Sequence, residues 1–357
     1  NIVENSQYLP TSVWAHGQAY KGTKKMESLL GNMMLTYKKG WKKHYFDALA
    51  LAELQKETYT GFYTTVTNFN TDKFGYHNLQ AGALRPWEGT NSYYEQPHLA
   101  SFMGRFNYTY ADRYSLTMTA RTDASSKFGP GNQRGYFPSI SLGWRMSSEN
   151  FMADTEKVDD LKLRFSWGQT GSTNIDDFVY RQFYEKGNPY IGQSTLTPGL
   201  LPNPDIKWER TSEFNGGLDY AFFNHRLFGS IDGYYRYTKG ALAPSPYPLE
   251  SGSTSYTSNL IDLSNKGVEI EIGGDIIRTA DWTWTSKFNI ALNRNKIEKL
   301  NGAELSSNDV DTYIEGQPAG VLKGYIVEKI FQNDDEVVTL NKTAVARGAN
   351  YYQEKST

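Results

Sequence analysis

Residues that commonly carry chemistry in proteins are sparse in this chain of 357 residues, and they lack the spacing that catalysis or metal binding requires. The chain has no cysteine, so neither a thiol nucleophile nor a cysteine zinc site is possible. No Gly-x-Ser-x-Gly motif is present, and the histidines show no i, i+4 or similar ligand spacing. The histidines are His16, His44, His77, His98 and His225. We therefore predict no catalytic residue, no metal site and no cofactor.

Charged side chains instead alternate with apolar ones along segments of about ten residues, a length typical of membrane-spanning strands. The clearest segment places Leu161, Leu163, Phe165 and Trp167 against Lys162, Arg164, Ser166 and Gly168. Successive side chains of a strand point to opposite faces, so this segment has one apolar face and one polar face. A strand buried on both faces would not tolerate these charges. The pattern therefore predicts strands whose polar face meets water.

The composition points to a membrane β-barrel. Mean hydropathy is -0.62, and no run of roughly 20 apolar residues could form a transmembrane helix. A closed barrel is the other structure that can span a membrane. Aromatic residues make up 15% of the chain, as the aromatic girdles of outer-membrane barrels require. The formal net charge of -2 offers no basic stripe for nucleic acid, so no nucleic-acid partner is predicted.

Ten strands are predicted, at residues 27–38, 43–57, 98–110, 113–123, 136–146, 160–170, 207–221, 226–239, 266–278 and 282–296. The links between them alternate between turn-sized and long. Outer-membrane barrels have short periplasmic turns and long extracellular loops, so the long links, which begin at Thr58, Ala124, Gly171, Gly240 and Ile297, should face the exterior. The link from Ser147 to Asp159 should lie on the periplasmic side, yet it is too long for a tight turn.

Two soluble β folds are the alternatives to a barrel. A β-propeller would repeat at about 40 to 50 residues with a blade signature, and no such repeat is visible. A β-sandwich has strands near five or six residues, whereas all ten predicted strands run to ten or more. Both alternatives fit the sequence less well than a membrane barrel does.

Short stretches distributed in order along the chain carry a family resemblance. They include Gly104-Arg105-Phe106-Asn107-Tyr108, Asp112-Arg113-Tyr114, Gly135-Tyr136-Phe137-Pro138-Ser139, Leu161-Lys162-Leu163-Arg164, Trp208-Glu209 and Asn265-Lys266-Gly267-Val268-Glu269. In these stretches the chain resembles the central barrel portion of a SusC/RagA-type TonB-dependent outer-membrane transporter. The resemblance extends over nearly the whole sequence.

This resemblance implies an all-β, transmembrane antiparallel barrel of the 22-stranded kind, closed from inside by an N-terminal plug domain. It also implies energy supplied through TonB and a SusD-like surface lipoprotein as partner. The sequence shows no plug region and no TonB-contacting segment. We therefore interpret residues 1–357 as a partial β-barrel domain, with about ten strands between residues 27 and 296 and a further barrel segment to 357.

Charged residues on the polar face are the candidates for the barrel lumen, because charge on the lipid face at the bilayer midplane costs roughly 2 to 4 kcal/mol. They are Arg105, Arg121, Arg145, Arg164, Glu213 and Asp219. One interpretation is a network that holds the plug in place. Direct contact with substrate is the alternative.

Aromatic residues in the long links are candidates for ligand or partner contact. They are Trp87, Tyr93, Tyr94, Tyr180, Phe183, Tyr190, Tyr247 and Tyr256. Aromatic rings stack on sugars and also anchor protein interfaces. Contact with a lid protein and contact with a ligand both remain open for these residues.

The resemblance thus implies TonB-dependent import of oligomeric nutrients, glycans in the first place, across the outer membrane of a Gram-negative bacterium. An oligopeptide importer of the same family is the first alternative. A receptor or pore of the outer membrane that does not import is the second. The expected partners are the lipid bilayer, the SusD-like lipoprotein, TonB, and an oligosaccharide or oligopeptide substrate.

Overall fold

The computed structural model describes residues 3–4, 18–69, 71, 73–84, 89–246, 250, 255–301, 306–307 and 311–322. Ten long strands form one sheet, in which each strand pairs antiparallel with the next in chain order. They are β1 (Gln18–Trp41), β2 (His44–Phe69), β3 (His98–Tyr110), β4 (Tyr114–Ser125), β5 (Arg134–Arg145), β6 (Val158–Ser172), β7 (Glu209–Phe222), β8 (Leu227–Pro246), β9 (Ser255–Arg278) and β10 (Thr283–Lys299). The antiparallel all-β fold expected from the alternation is confirmed, and each predicted strand overlaps one of these ten.

Shorter strands accompany the sheet. Val3–Glu4 pairs with the start of β1, while Gly82–Leu84 and Thr90–Glu95 pair with the end of β2. Tyr184–Tyr190 and Gln193–Pro198 form a separate hairpin. Ser306–Ser307, Asp311–Thr312 and Val321–Leu322 make a three-stranded sheet in a second compact unit. No helix in the part of the chain that the structure describes is long and apolar enough to cross a membrane.

Several strands are longer than predicted. β1 begins at Gln18 rather than at 27, and β9 begins at Ser255 rather than at 266. The added part of β1 has no continuous apolar face, and in the added part of β9 the neighbours Leu260 and Ile261 are both buried. Neither segment alternates, so the sequence pattern could not find it. The predicted long loop from Gly240 is accordingly mostly strand.

Tight turns join the strands at one end of the sheet, and we call this row of strand ends the turn edge. The turn between β1 and β2 has Lys42 at φ 53°, and Ala111 and Asp112 between β3 and β4 have φ 53° and 55°. Such left-handed positions match the twist of two-stranded hairpins. The longer β5–β6 connection lies at this same edge and contains two short 3-10 helices, Met146–Ser148 and Asn150–Met152.

Glu149 organises that longer connection. Its carboxylate accepts hydrogen bonds from Tyr114 Oη at 2.6 Å, Trp144 Nε1 at 3.1 Å and Arg113 Nη1 at 3.1 Å. The hydrogen bond from Tyr114 is the main reason why the pKa of Glu149 is lowered. These contacts hold the connection folded back over the ends of β4 and β5, which a tight turn would be too short to reach.

The two faces of the sheet differ sharply. On the apolar face, rings and aliphatic side chains such as Phe165, Leu142 and Phe288 are half exposed or more. Among the described residues, the buried side chains form three small clusters instead, around Phe128, Ile297 and Val66. An exposed apolar face of this extent is typical of a surface that contacts lipid.

An aromatic band marks the turn edge of the apolar face. Trp41, His44, Tyr110, Tyr114 and Trp144 are consecutive partners across β1 to β5. The His44 ring stacks on Trp41 at 5.6 Å, and the Tyr110 and Tyr114 rings are 6.4 Å apart. Such a band is expected where a barrel wall meets the membrane–water interface.

Candidate functional site

All six charged residues predicted for the lumen lie on one face of the sheet. Arg105, Thr119, Ser139, Gly168, Glu213 and Arg236 are consecutive partners across β3 to β8, so their side chains share a face. Arg121, Arg145, Arg164 and Asp219 are each an even number of residues from a member of that row on the same strand. The register therefore places them on the same face, which we call the inner face.

Arg164 links three strands of the inner face. Its Nε and Nη2 donate to Asp219 Oδ2 at 2.8 Å and Oδ1 at 2.7 Å, and Nη2 is 3.0 Å from Asp232 Oδ1. The paired contact to Asp219 is the planar arrangement in which guanidinium and carboxylate groups bind most strongly. Gly217 lies beside Arg164 and Asp232. A larger residue does not fit there, because a Cβ would clash with the Asp232 carboxylate and come 2.8 Å from Arg164 Nη2.

Arg121 forms a second network nearer the long connections. Its Nε lies 2.9 Å from both carboxylate oxygens of Asp123, and its Nη2 donates to Ser101 Oγ at 3.0 Å. The Glu53 carboxylate is 3.8 Å away. Asp123 and Ser101 are both buried, so Arg121 is held by fixed partners on β2, β3 and β4.

The remaining candidates differ in how they are paired. Glu213 Oε2 accepts hydrogen bonds from Arg236 Nε at 2.8 Å and Nη2 at 2.7 Å. Arg145 Nε is 3.4 Å from Asp160 Oδ1. Arg105 has no ion-pair partner within the ranges that the structure covers. Among those same residues, no group of three or more acidic or histidine side chains is arranged to hold a metal ion.

A pocket of about 640 Å³ opens on the inner face beside the Arg121 network. Its polar lining includes Arg121, Asp123, Gln169, Thr211 and Glu213, and its apolar lining includes Phe137 and Trp208. Two of the six predicted lumen residues therefore share one pocket. Charged and amide groups of this kind, beside apolar rings, can hydrogen-bond a hydroxyl-rich or amide-rich ligand.

The pocket floor is a packed aromatic cluster. Trp208 lies edge-on to Phe137, with ring centroids 5.4 Å apart, and 5.1 Å from Phe128. Its Nε1 donates to the Gln133 carbonyl at 2.9 Å, which fixes the indole. A Cβ at Gly171 would clash with the Phe137 ring, so only glycine allows this close packing.

The sequence prediction missed Trp208, Phe137, Asp123 and Gln169 as lining residues. Alternation predicts Phe137 on the apolar row with Ile140 and Leu142, but the structure puts it on the same face as Ser139 because the predicted row slips at Pro138. Trp208 belongs to the Trp208-Glu209 motif, which does not by itself place its ring in a pocket.

Asp123 is two residues from Arg121 on a predicted strand, so the alternation alone could have placed it on the inner face. Gln169 follows Gly168 of the inner-face row directly, so alternation assigns it to the other face although it lines the pocket. What the sequence does not give is the register that brings these strands together.

A loop after β6 lies against the cluster under the pocket. Ile175, Val179 and Tyr180 pack against the buried Phe128, Phe137, Ile206 and Trp208. Lys127 Nζ donates to the Ile175 carbonyl at 2.7 Å and is 3.6 Å from Asp177 Oδ1. Burial raises the pKa of Asp177 despite the nearby Lys127. The other carboxylate oxygen of Asp177 is buried and has no hydrogen-bond partner among the described residues.

The predicted aromatic contact residues fall into two groups. Tyr93 lies over Gly61 with a buried hydroxyl, and Tyr180 packs in the cluster just described. Tyr94 and Tyr190 are exposed by 64% and 70%, so their rings are accessible. Phe183 is also exposed, and Tyr256 lies within β9. Trp87 and Tyr247 lie outside the described residues.

Comparison with known proteins gives matches along most of the chain. The model of the family described as TonB dependent receptor-like, beta-barrel, matches residues 5–326. TonB-dependent receptor SusC of Bacteroides thetaiotaomicron is 37% identical over 292 residues, which are 75% of this chain and 28% of SusC. TonB-dependent receptor P3 of Formosa agariphila is 32% identical over 349 residues, which are 92% of this chain and 35% of P3.

Solved structures match the same fold. A structure described as the RagAB peptide transporter has a TM-score of 0.75 and 26% identity, and the match covers 85% of this chain and 34% of that one. The outer membrane transporter YddB of Escherichia coli has a TM-score of 0.54 at 10% identity, which is a likeness of fold alone. The chain thus spans about a third of the length of the relatives it matches.

Proposed function

Since this chain belongs to the TonB dependent receptor-like β-barrel family, and is therefore part of an outer-membrane barrel, we propose that it forms part of the wall of a nutrient importer. In this proposal the inner face lines the lumen of a 22-stranded barrel and the apolar face contacts lipid. The plug and the TonB-contacting segment belong to parts of the transporter beyond these ten strands. The long connections face the exterior.

The observation that carries the proposal is the inner-face pocket. It lies near the long connections, where a molecule arriving from outside would first meet the wall. Its lining combines Arg121, Asp123, Glu213 and Gln169 with two fixed aromatic rings. Sugar hydroxyls can both donate and accept hydrogen bonds, so this lining suits an oligosaccharide. We accordingly propose glycans as the first cargo class.

Oligopeptides are the second candidate cargo. The support is the structural match to RagAB, which is described as a peptide transporter. The inner face also carries charges of both signs, as peptide termini would require. SusC is nevertheless closer in sequence, at 37% identity against 26%.

The accessible aromatic side chains at the long connections suit a protein partner. Tyr94, Phe183 and Tyr190 are exposed, and aromatic residues are enriched at the centres of protein interfaces. We propose that a SusD-like surface lipoprotein contacts this edge. The networks of Arg121 and Arg164 would keep the lumen wall rigid against the plug. No catalytic step is assigned to the chain.

Growth of the source bacterium on defined nutrients tests the proposal. Deletion of the gene should abolish growth on a particular oligosaccharide and leave growth on its free monosaccharide unchanged. Deletion of tonB should give the same loss. Loss of growth on oligopeptides alone would show that oligopeptides, and not glycans, are the cargo. Normal growth of the deletion strain on every oligomer would contradict import and leave a receptor or passive pore.

A variant pair tests the pocket itself. Thr170→Phe, on an exposed pocket-lining position, should reduce uptake because the new ring fills the space. Thr283→Phe is the matched control, since it makes the same change at an exposed position of the turn edge. Equal uptake by the two variants would exclude the pocket from the transport route.

A further inference from the structure

A second cavity, of about 970 Å³, lies on the apolar face of the sheet and shares the lining residues Ile140, Ser166 and Trp167 with the inner-face pocket. Two neighbouring rows of cross-strand partners line it. One row is Leu142, Phe165, Gly216, Gly233, Val268 and Leu292, across β5 to β10. The other is Ile140, Trp167, Phe214, Tyr235, Lys266 and Arg294 on the same strands. We call this cavity the outer groove.

The outer groove exists because two glycines are adjacent in the first row. Gly216 and Gly233 leave the surface without a side chain between Phe165 and Val268. A Cβ at Gly233 would meet no atom within 4 Å, so packing does not demand glycine there. The walls are apolar and open, with Phe165, Phe214 and Leu292 exposed by 54%, 57% and 66%. The groove can therefore take a flexible apolar chain.

Two cations stand at one end of the groove. Lys266 and Arg294 are direct partners on β9 and β10, and like charges placed opposite each other destabilise a strand pair. Neither has an ion-pair partner in the part of the chain that the structure describes. Lys296 lies on the same face but does form an ion pair, because its Nζ is 2.7 Å from Glu298 Oε2. An anion between Lys266 and Arg294 would remove the repulsion.

The depth of the pair corresponds to the membrane boundary. Lys266 lies twelve residues before the end of β9 at Arg278, and Arg294 lies eleven residues after the start of β10 at Thr283. Tilted strands of about 9 to 11 residues cross the hydrocarbon layer. The cations therefore reach the interface on the side of the long connections, where charge on the lipid face costs only about 0 to 1 kcal/mol.

We propose that the outer groove binds a phosphorylated, multiply acylated lipid of the lipid A class. Its phosphate lies between Lys266 and Arg294, and an acyl chain lies in the groove over Gly216 and Gly233. Charge-assisted hydrogen bonds from two cations are a strong way to hold a phosphate. The choice of lipid A rests on the proposed orientation, because lipopolysaccharide forms the outer leaflet that the long connections then face.

Lipid titration of the whole transporter, isolated from outer membranes and followed by native mass spectrometry, tests the proposal. Monophosphorylated lipid A should bind the wild-type protein about tenfold or more tightly than its dephosphorylated form, since the phosphate contacts are then lost. It should also bind more tightly than phosphatidylglycerol. This comparison needs no variant and so does not depend on variant folding.

Variants then locate the site. The double change Lys266→Ala with Arg294→Ala should weaken lipid A binding by about tenfold, and Gly233→Leu should weaken it by filling the groove. Lys296→Ala is the matched control and should leave binding unchanged. Three results would each overturn the proposal: equal affinity for dephosphorylated lipid A, equal or tighter binding of phosphatidylglycerol, or an equal effect of Lys296→Ala. The growth tests above do not depend on these results.

Discussion

Arg164 illustrates how a charged residue is accommodated in the middle of a barrel wall. Sequence alternation places it on the inner face, and the structure surrounds it with two carboxylates from neighbouring strands. Its side chain and those of Asp219 and Asp232 are only partly exposed, so each charge depends on the others for compensation. Arg105 lies on the same face but has no ion pair within the described ranges. The two arginines form a natural comparison.

Arg164→Leu should lower the unfolding free energy by about 1 to 3 kcal/mol, because it leaves two facing carboxylates without a cation. Partial exposure should keep the loss toward the lower end of that range. Arg105→Leu should change stability little, since it breaks no ion pair in the described part of the chain. Thermal unfolding in detergent would measure both variants.

A double variant tests whether the loss of stability comes from the two carboxylates that Arg164 faces. Asp232→Asn added to Arg164→Leu should recover part of the lost stability, because one of the two facing charges is removed. Equal losses from Arg164→Leu and Arg105→Leu, with no recovery in the double variant, would show that the network contributes nothing measurable.

At the scale of a strand, the two faces of β6 should respond oppositely to the same substitution. Phe165→Arg places a charge on the apolar face, away from the aromatic band, where it costs roughly 2 to 4 kcal/mol near the bilayer midplane, so the amount of assembled barrel should fall. Ser166→Arg places the same side chain on the inner face, at an exposed position, and should assemble normally. Heat-modifiable migration on gels reports assembled barrel. Similar yields from the two variants would contradict the assignment of the faces.

The loop after β6 should be sensitive to pH through Asp177. Its pKa is raised by burial, so protonation stabilises the folded loop below the ordinary carboxyl pKa, and this contribution is lost as pH rises through the raised pKa. Amides of residues 173–183 should therefore show higher protection factors at about pH 4 than at neutral pH. Hydrogen exchange, corrected for intrinsic rates, would measure the difference.

Two neutral substitutions separate Asp177 from general effects of pH. Asp177→Asn should remove the difference in protection, because the side chain no longer titrates. The neighbouring Asp176 is exposed, so Asp176→Asn should keep the difference. A pH dependence that survives in Asp177→Asn would assign it to another group.

The sequence predicts elements of this sheet well where one face is apolar and poorly elsewhere. β3 is found at its observed bounds because its side chains alternate, whereas the start of β1 is missed because it has no continuous apolar face. The hairpin of residues 184–198 is missed for the same reason. Ion-pair partners such as Asp232 are missed because they depend on register between strands, which alternation within one strand does not contain.

For the whole molecule, the central claim is that the ten-stranded sheet is barrel wall, with water on the inner face and lipid on the other. The family assignment supports the barrel, and the apolar face has no packed layer over it in the described part of the chain. The inner-face pocket and the outer groove then have different surroundings. The first faces the transport route, and the second faces the membrane.

Cysteine labelling along β5 tests this claim most directly, because the chain has no cysteine of its own. Ser141 and Leu142 are neighbours, and both are exposed in the sheet, so only their surroundings distinguish them. In intact outer membranes, Ser141→Cys of the whole transporter should react with a membrane-impermeant maleimide. Leu142→Cys should react only after detergent is added. Equal reaction of the two cysteines in intact membranes would contradict the account.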